Sequence, residues 1–361
     1  MELDVRKQRI LKAIVQDYVA TAEPVGSQVL VERYSLGVKS ATIRNEMAEM
    51  SERGYLRQPH TSAGRVPSDL GYRFYVSRLM PLPMVQEDEA VRMRTAVASA
   101  SSELDAVIQR TCRLLTSMTR LPAVATPPDA DDTELRQVFV TPAGADKTLL
   151  VLLFSTGRTE NRLLPTLRLT ASDALLLANA LNERLSGLTL GALRSLSADQ
   201  EKPPRGLPGA LARAWSELLV EVANAVRTVS ESTPVYVEGA SRVLEYPEFR
   251  DVERLGAFLS MLQERAALLE VLDHALEATP PGQSPAPAER LAVQFAIGEE
   301  MGRPDFSEYA VVSSSYYIGD RERGTIGVLG PTRMDYTRAA AAVGFMARTM
   351  SDLLTRLSIA P

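Results

Sequence analysis

Apolar residues at helical spacing open the chain. Ile10, Leu11, Ile14 and Val15 follow Asp4, whose carboxylate can accept the first free N–H groups of a helix, and together they predict a helix reaching about Val19. Glu23-Pro24-Val25-Gly26 interrupts it, because proline removes a backbone donor and blocks helical continuation. Ser27 is then placed to cap a short helix, Gln28–Tyr34, and Leu36-Gly37-Val38 makes a turn. Ser40 is placed to cap a third helix with Ile43, Met47 and Met50 on its inner face, stopped by Gly54. Helix, short glycine-containing turn, helix is a helix-turn-helix. Tyr55-Leu56-Arg57-Gln58 and Arg65-Val66-Pro67 flank a Pro59–Gly64 loop and predict a β-hairpin, or wing. A further helix from Ser68 carries Tyr72, Phe74, Tyr75, Val76 and Leu79.

From about Val85 to Leu121 the pattern predicts one long helical stretch. Val97, Leu104 and Met118 share a heptad seam with Thr111 as its polar member, and Ala100, Val107, Leu114 and Leu121 fill the other. Such a face packs on another helix, within the chain or across a coiled coil. Three strands with turns at Gly144 and Gly157 follow: Arg136–Thr141, Thr148–Ser155 and Glu160–Pro165. Helices are predicted over Ser172–Leu185, Pro208–Val229 and Val252–Leu276, with a short strand Val235–Glu238 among them. Strands Leu291–Ile297, Tyr309–Ile318 and Gly324–Leu329 precede a closing helix, Asp335–Leu357. The proline-rich stretches 122–134, 200–209 and 277–290 read as loops or linkers.

A chain of 361 residues has room for two or three domains. Its single cysteine, Cys112, excludes a disulfide framework and Cys-clustered metal sites, and two histidines offer no ligand set. No apolar run approaches the ~18 residues of a membrane span, and the first ten residues lack the apolar core of a signal peptide. These features predict a soluble cytoplasmic protein with no cofactor and no membrane contact. The net charge of −5 hides an asymmetry. Residues 1–80 carry 12 Lys+Arg against 9 Asp+Glu, whereas the remaining 281 carry 28 against 36. A basic head on an acidic body points to an anionic partner for the head, and DNA is the usual one.

The third helix can be tested as a DNA probe. With Ile43, Met47 and Met50 inward, Ala41 and Asn45 face outward and Thr42 and Arg44 flank them, at the end where recognition helices meet base edges. Arg44 suits guanine O6/N7, Asn45 suits adenine N6/N7, and the Ala41 and Thr42 methyls suit thymine. Glu49 and Glu52 farther along repel phosphate, which limits contact to the first two turns. In the wing, His60, Thr61, Ser62 and Arg65 offer small, hydroxylated and cationic groups to a phosphate backbone or minor groove, and Arg57 adds a second cation.

Several of these runs are specific. Gly26-Ser27, Ser40-Ala41-Thr42-Ile43-Arg44-Asn45-Glu46-Met47, Gly54-Tyr55-Leu56, Gln58 to Pro67 and Gly71-Tyr72-Arg73-Phe74-Tyr75-Val76 strongly resemble the HrcA family of heat-inducible transcription repressors. Gly324 to Tyr336 resembles the family's second signature, and Asn161-Arg162 and Leu181-Asn182-Glu183-Arg184-Leu185 also fit it. The chain departs at Met50-Ser51, at Ser68 and in the length of 277–290, none of which falls on the expected DNA face. The resemblance implies an α+β multidomain protein. Residues 1–84 are expected as a winged helix-turn-helix, 85–132 with 233–361 as a GAF-like α/β domain, and 133–232 as an inserted dimerisation domain built on a three-stranded antiparallel sheet with helices. It also implies a homodimer on an inverted-repeat operator of double-stranded DNA, with Ser27 and Ser40 among the contacting residues. The resemblance further implies that this operator lies upstream of chaperone operons, and that a chaperonin of the GroEL type keeps the repressor active until heat diverts it to unfolded clients.

Two other functions are weighed against this. A metabolite-responsive regulator needs an enclosed polar-lined pocket in the GAF-like domain. An enzyme needs a nucleophile–base pair or metal cluster, which two histidines and one cysteine do not supply in recognisable form. Gly324, Gly327 and Gly330 lack the spacing of a phosphate-binding loop and are better explained by a strand packed closely on its neighbours.

Overall fold

The computed structural model describes residues 3–60, 64–99, 104–128, 133–144, 146–165, 167–195, 203–204, 207–231, 234–276, 291–319 and 322–359. It is a mixed α/β protein. At the N-terminus, α1 (Val5–Thr21), α2 (Ser27–Arg33) and α3 (Ser40–Glu52) bury the predicted stripe of Ile10, Leu11, Ile14, Ile43, Met47 and Met50. Asp4 caps α1 by accepting the Lys7 N–H at 2.9 Å. Strands β1 (Leu56–Arg57) and β2 (Val66–Pro67) pair antiparallel as the predicted hairpin. Ser68 then caps α4 (Asp69–Phe74), which one π-helical turn prolongs to Leu79.

After residues 80–86, which form neither helix nor strand, the long heptad stretch resolves into α5 (Glu87–Ala98) and α6 (Leu104–Thr119). Ala100 of the second seam lies outside the described residues. Cys112 on α6 is fully buried, and burial pushes its thiol up to about 12. The native protein should therefore resist iodoacetamide at pH 8 and become alkylated only as urea unfolds it. Rapid labelling of the native chain would show that α6 opens.

The 122–134 stretch is not simply a linker: Ala123–Thr126 forms β3, every residue of which is buried. It lies inside a five-stranded antiparallel sheet together with β7 (Tyr236–Glu238), β8 (Gln294–Ile297), β9 (Tyr309–Ile318) and β10 (Glu322–Pro331), in the order β7-β3-β10-β9-β8. The closing helix α12 (Tyr336–Ile359) and α6 pack one face. The predicted helix 252–276 breaks at Glu264, where the backbone is extended, into α10 (Val252–Gln263) and α11 (Arg265–Leu276) on the other face. Gly324 lets the fully buried Tyr316 ring lie across β10, where a Cβ would stand 2.3 Å from the ring, and the Tyr316 hydroxyl donates to Thr126 O at 2.7 Å.

Between β3 and β7 the chain builds a second sheet, β4 (Leu135–Pro142), β5 (Thr148–Phe154) and β6 (Thr159–Leu164), in sequence order. Helices α7 (Ala171–Leu185) and α9 (Ala212–Glu231) cover one side around Trp215, with an unpredicted short α8 (Leu190–Ser195). Asn182 donates to Val138 O and accepts the Val138 N–H, both at 2.7 Å, and Arg162 donates to Thr228 at 2.7 Å. The Asn161-Arg162 and Leu181–Leu185 stretches thus hold helix to sheet. Residues 277–290 and half of 200–209 lie outside the described residues.

Candidate nucleic-acid interface

α3 presents the outward face its periodicity predicts. Ala41, Arg44 and Asn45 are exposed, and Ser40 and Thr42 are half-buried beside them. Neither Arg44 nor Asn45 bonds to another described residue, so both heads are free for a ligand. The expected serine caps are corrected. α2 is preceded by Gly26 and α3 by Lys39, neither giving a side-chain cap. The hydroxyls of Ser27 and Ser40 instead hydrogen-bond to each other at 2.9 Å, tying the starts of α2 and α3 together. Ser27 is therefore buried and fixes the helix pair from inside, and the first N–H groups of α3 stay open to an anion.

Lys7, which the sequence reading did not single out, locks α3 onto α1. Its ammonium meets Glu46 at 2.8 Å, Asp4 at 2.9 Å and Glu49 at 3.1 Å, and these partners, Glu46 first, hold it well above the usual lysine range. Arg53 also lies 3.6 Å from Glu49. The expected repulsion of phosphate by Glu49 is thereby blunted.

The β1–β2 hairpin is less uniform than its sequence. His60 is exposed at the loop's start, while Thr61 and Ser62 lie outside the described residues. The Arg65 backbone exchanges two 2.9 Å hydrogen bonds with Val25, and its Nε donates to Ser51 Oγ at 2.9 Å. Ser51 is one of the departures from the family pattern, so a departure does touch the candidate face: it holds Arg65 half-buried against the end of α3. Arg57 is exposed, but its charge bears on Tyr18, Asp69 and Tyr72, on the flank where the head meets the rest of the chain. Ala41, Arg44 and Asn45 thus share the outward surface of α3.

Among the described residues no three His, Cys, Asp or Glu are placed to hold a metal, and no helix is long and apolar enough to cross a membrane. Residues 105–340 match the family model described as HrcA protein C terminal domain. The heat-inducible transcription repressor HrcA of Acetivibrio thermocellus is 35% identical, the alignment covering 99% of this chain and 98% of that protein. Its counterpart in Symbiobacterium thermophilum is 37% identical over 97% of this chain and 98% of its own length. A crystal structure of a hypothetical protein, 22% identical and covered over 98% of both chains, shares the fold with a TM-score of 0.55. Relatives above 30% identity along nearly the full length, and a family model spanning more than half of it, place this chain in the HrcA family of heat-inducible transcription repressors.

Proposed function

We propose that this chain represses heat-shock chaperone operons as a cytoplasmic homodimer on an inverted-repeat operator, and that a GroEL-type chaperonin keeps it in its DNA-binding state. Its family is one of transcription repressors rather than enzymes. In this reading residues 1–84 are the winged helix-turn-helix, 85–132 and 233–361 the GAF-like domain, and 133–232 the inserted dimerisation domain. One observation carries the DNA contact: Arg44 and Asn45, the two side chains suited to bidentate base reading, stand exposed and unengaged at the uncapped start of α3.

The chaperonin dependence is supported by topology. β3 pairs with β7 and with β10, so strands from both sides of the 133–232 segment must meet in one sheet. Such non-local pairing is slow and leaves apolar surface open in intermediates, the kind of surface a chaperonin binds without regard to sequence. The side of the sheet beneath α12 is occupied by Tyr316 and its neighbours, which favours this reading over a metabolite sensor. The deciding experiment is a mobility shift on the inverted repeat upstream of a chaperone operon. Chaperonin with ATP should raise the active fraction, and chaperonin pre-loaded with an unfolded client should not. No gain in either arm, with a small ligand switching binding, would give the case to the sensor.

Base and backbone contacts are separable. Arg44→Ala or Asn45→Ala should cost ~1–3 kcal/mol on operator and relax preference at one or two base pairs. Arg57→Ala should weaken all sequences alike and lower the slope of log affinity against log salt by about 1. Full selectivity in Arg44→Ala, measured by competition with scrambled DNA, would remove α3 from the major groove.

A further inference from the structure

The head is joined to the body by a stretch whose ends, Met80 and Val85, touch the core but whose middle is unpacked. Residues 80–86 form neither helix nor strand, and Leu82 and Met84 along them are 88% and 83% exposed. Orientation comes from the seam itself. Tyr72 of the head and Tyr336 of the body, both buried, lie with ring centroids 5.6 Å apart, and polar ties flank this contact.

On one side Arg333, only 7% exposed, donates Nη1 to Val19 O at 2.6 Å and Nε and Nη2 to the Glu248 carboxylate at 2.6 and 3.2 Å. Val19 is in the last turn of α1, where carbonyls lack intrahelical partners and the helix dipole favours a cation. On the other side Arg73 of α4 donates Nε to Glu300 at 2.7 Å and Nη2 to Phe295 O at 2.7 Å. Beside it Asp69 accepts the Glu299 N–H at 3.3 Å. Each guanidinium is a planar fork gripping acceptors in fixed directions, and two such grips flanking an apolar contact restrain tilt and twist together.

We infer that Arg333 and Arg73 are positioning residues for operator recognition: they fix the angle at which each reading head is held, and so the half-site spacing the dimer accepts. The inference rests on the inverted-repeat reading above. One added base pair turns one half-site relative to the other by ~35° and moves it ~3.4 Å, because 10–10.5 base pairs make one helical turn of 34–36 Å. Latched heads cannot follow that change, whereas heads freed on a seven-residue tether can.

The test uses full-length protein with Arg333→Gln, and separately Arg73→Gln at the more exposed grip. Each is titrated on the operator, on operators with one or five base pairs added between half-sites, and on a single half-site. Wild type should prefer the native spacing. Each variant should bind the single half-site within about twofold of wild type yet lose roughly tenfold or more of the preference among spacings. Arg333→Lys should not restore it, since an ammonium cannot bridge the same three acceptors. Unchanged spacing preference in both variants, or a parallel loss on the single half-site, overturns the inference; so does tighter operator binding, which would make the latch inhibitory. If wild type itself ignores spacing, the inverted-repeat reading fails first and this inference with it.

Discussion

Phe139→Asp should turn the proposed homodimer into a monomer and lower operator affinity by about 10²–10⁴-fold, the range lost when two linked binding modules act singly. The reason lies in the three-stranded sheet. Its inner side packs Val138, Val140, Leu150, Leu152 and Phe154 beneath α7 and α9. An antiparallel sheet with one wet face normally turns polar residues outward. Here the outer side carries Phe139 at 44% exposure and Leu163 at 53%, with Leu149, Val151 and Leu153 half-exposed between them. Register makes these contiguous: Phe139 lies opposite Val151, and Leu149 opposite Leu163. A second copy laid on this face by a two-fold axis would cover both surfaces at once. A carboxylate at Phe139 would then be buried without a partner in each protomer, and desolvation would oppose association. Light scattering at micromolar concentration, paired with a mobility shift, reads both effects. A variant that stays dimeric would move the interface elsewhere, with the exposed Leu175 and Leu176 of α7 the next surface to test.

Much of the head was legible because its signals are local. The Ile43, Met47 and Met50 stripe, the hairpin and the outward Arg44–Asn45 pair follow from spacing within one helix or turn. What failed depends on partners far along the chain. Ser27 and Ser40 have the side chains of caps, yet each hydroxyl found the other across the helix pair before it found a backbone N–H. β3 sits among prolines and is a strand because β7 and β10 flank it, not because Ala123–Thr126 favours extended structure. Arg65 is cationic and in the wing, but Ser51 turns it inward. The end of the second signature works only through distant partners. Its Arg333 and Tyr336 meet Val19 and Tyr72, residues whose contact no local pattern announces.

Gly71→Ala should destabilise the head by about 3 kcal/mol or more, at the upper end of what overpacking costs, and abolish operator binding with it. Gly71 is buried in α4, and a Cβ there would stand 2.2 Å from Tyr55 O. That carbonyl is itself engaged, accepting the Ser68 N–H at 3.1 Å, so the new methyl meets a fixed backbone group and no rotamer relieves the clash. Relief requires α4 to withdraw from the wing. On its far side α4 is pinned by Asp69 to Glu299, by Arg73 to Glu300 and by Tyr72 against Tyr336, so withdrawal breaks the seam that holds the head. Gly26→Ala is the matched control. Its φ is −90° and nothing lies within 4 Å of the added methyl, which leaves only a poorer helix cap, ~1 kcal/mol at most. Urea unfolding of both variants, followed by operator titration, should therefore separate them by at least ~2 kcal/mol. Equal stability would mean that α4 and the β1–β2 hairpin move independently, and the seam with Tyr336 would then not depend on the hairpin.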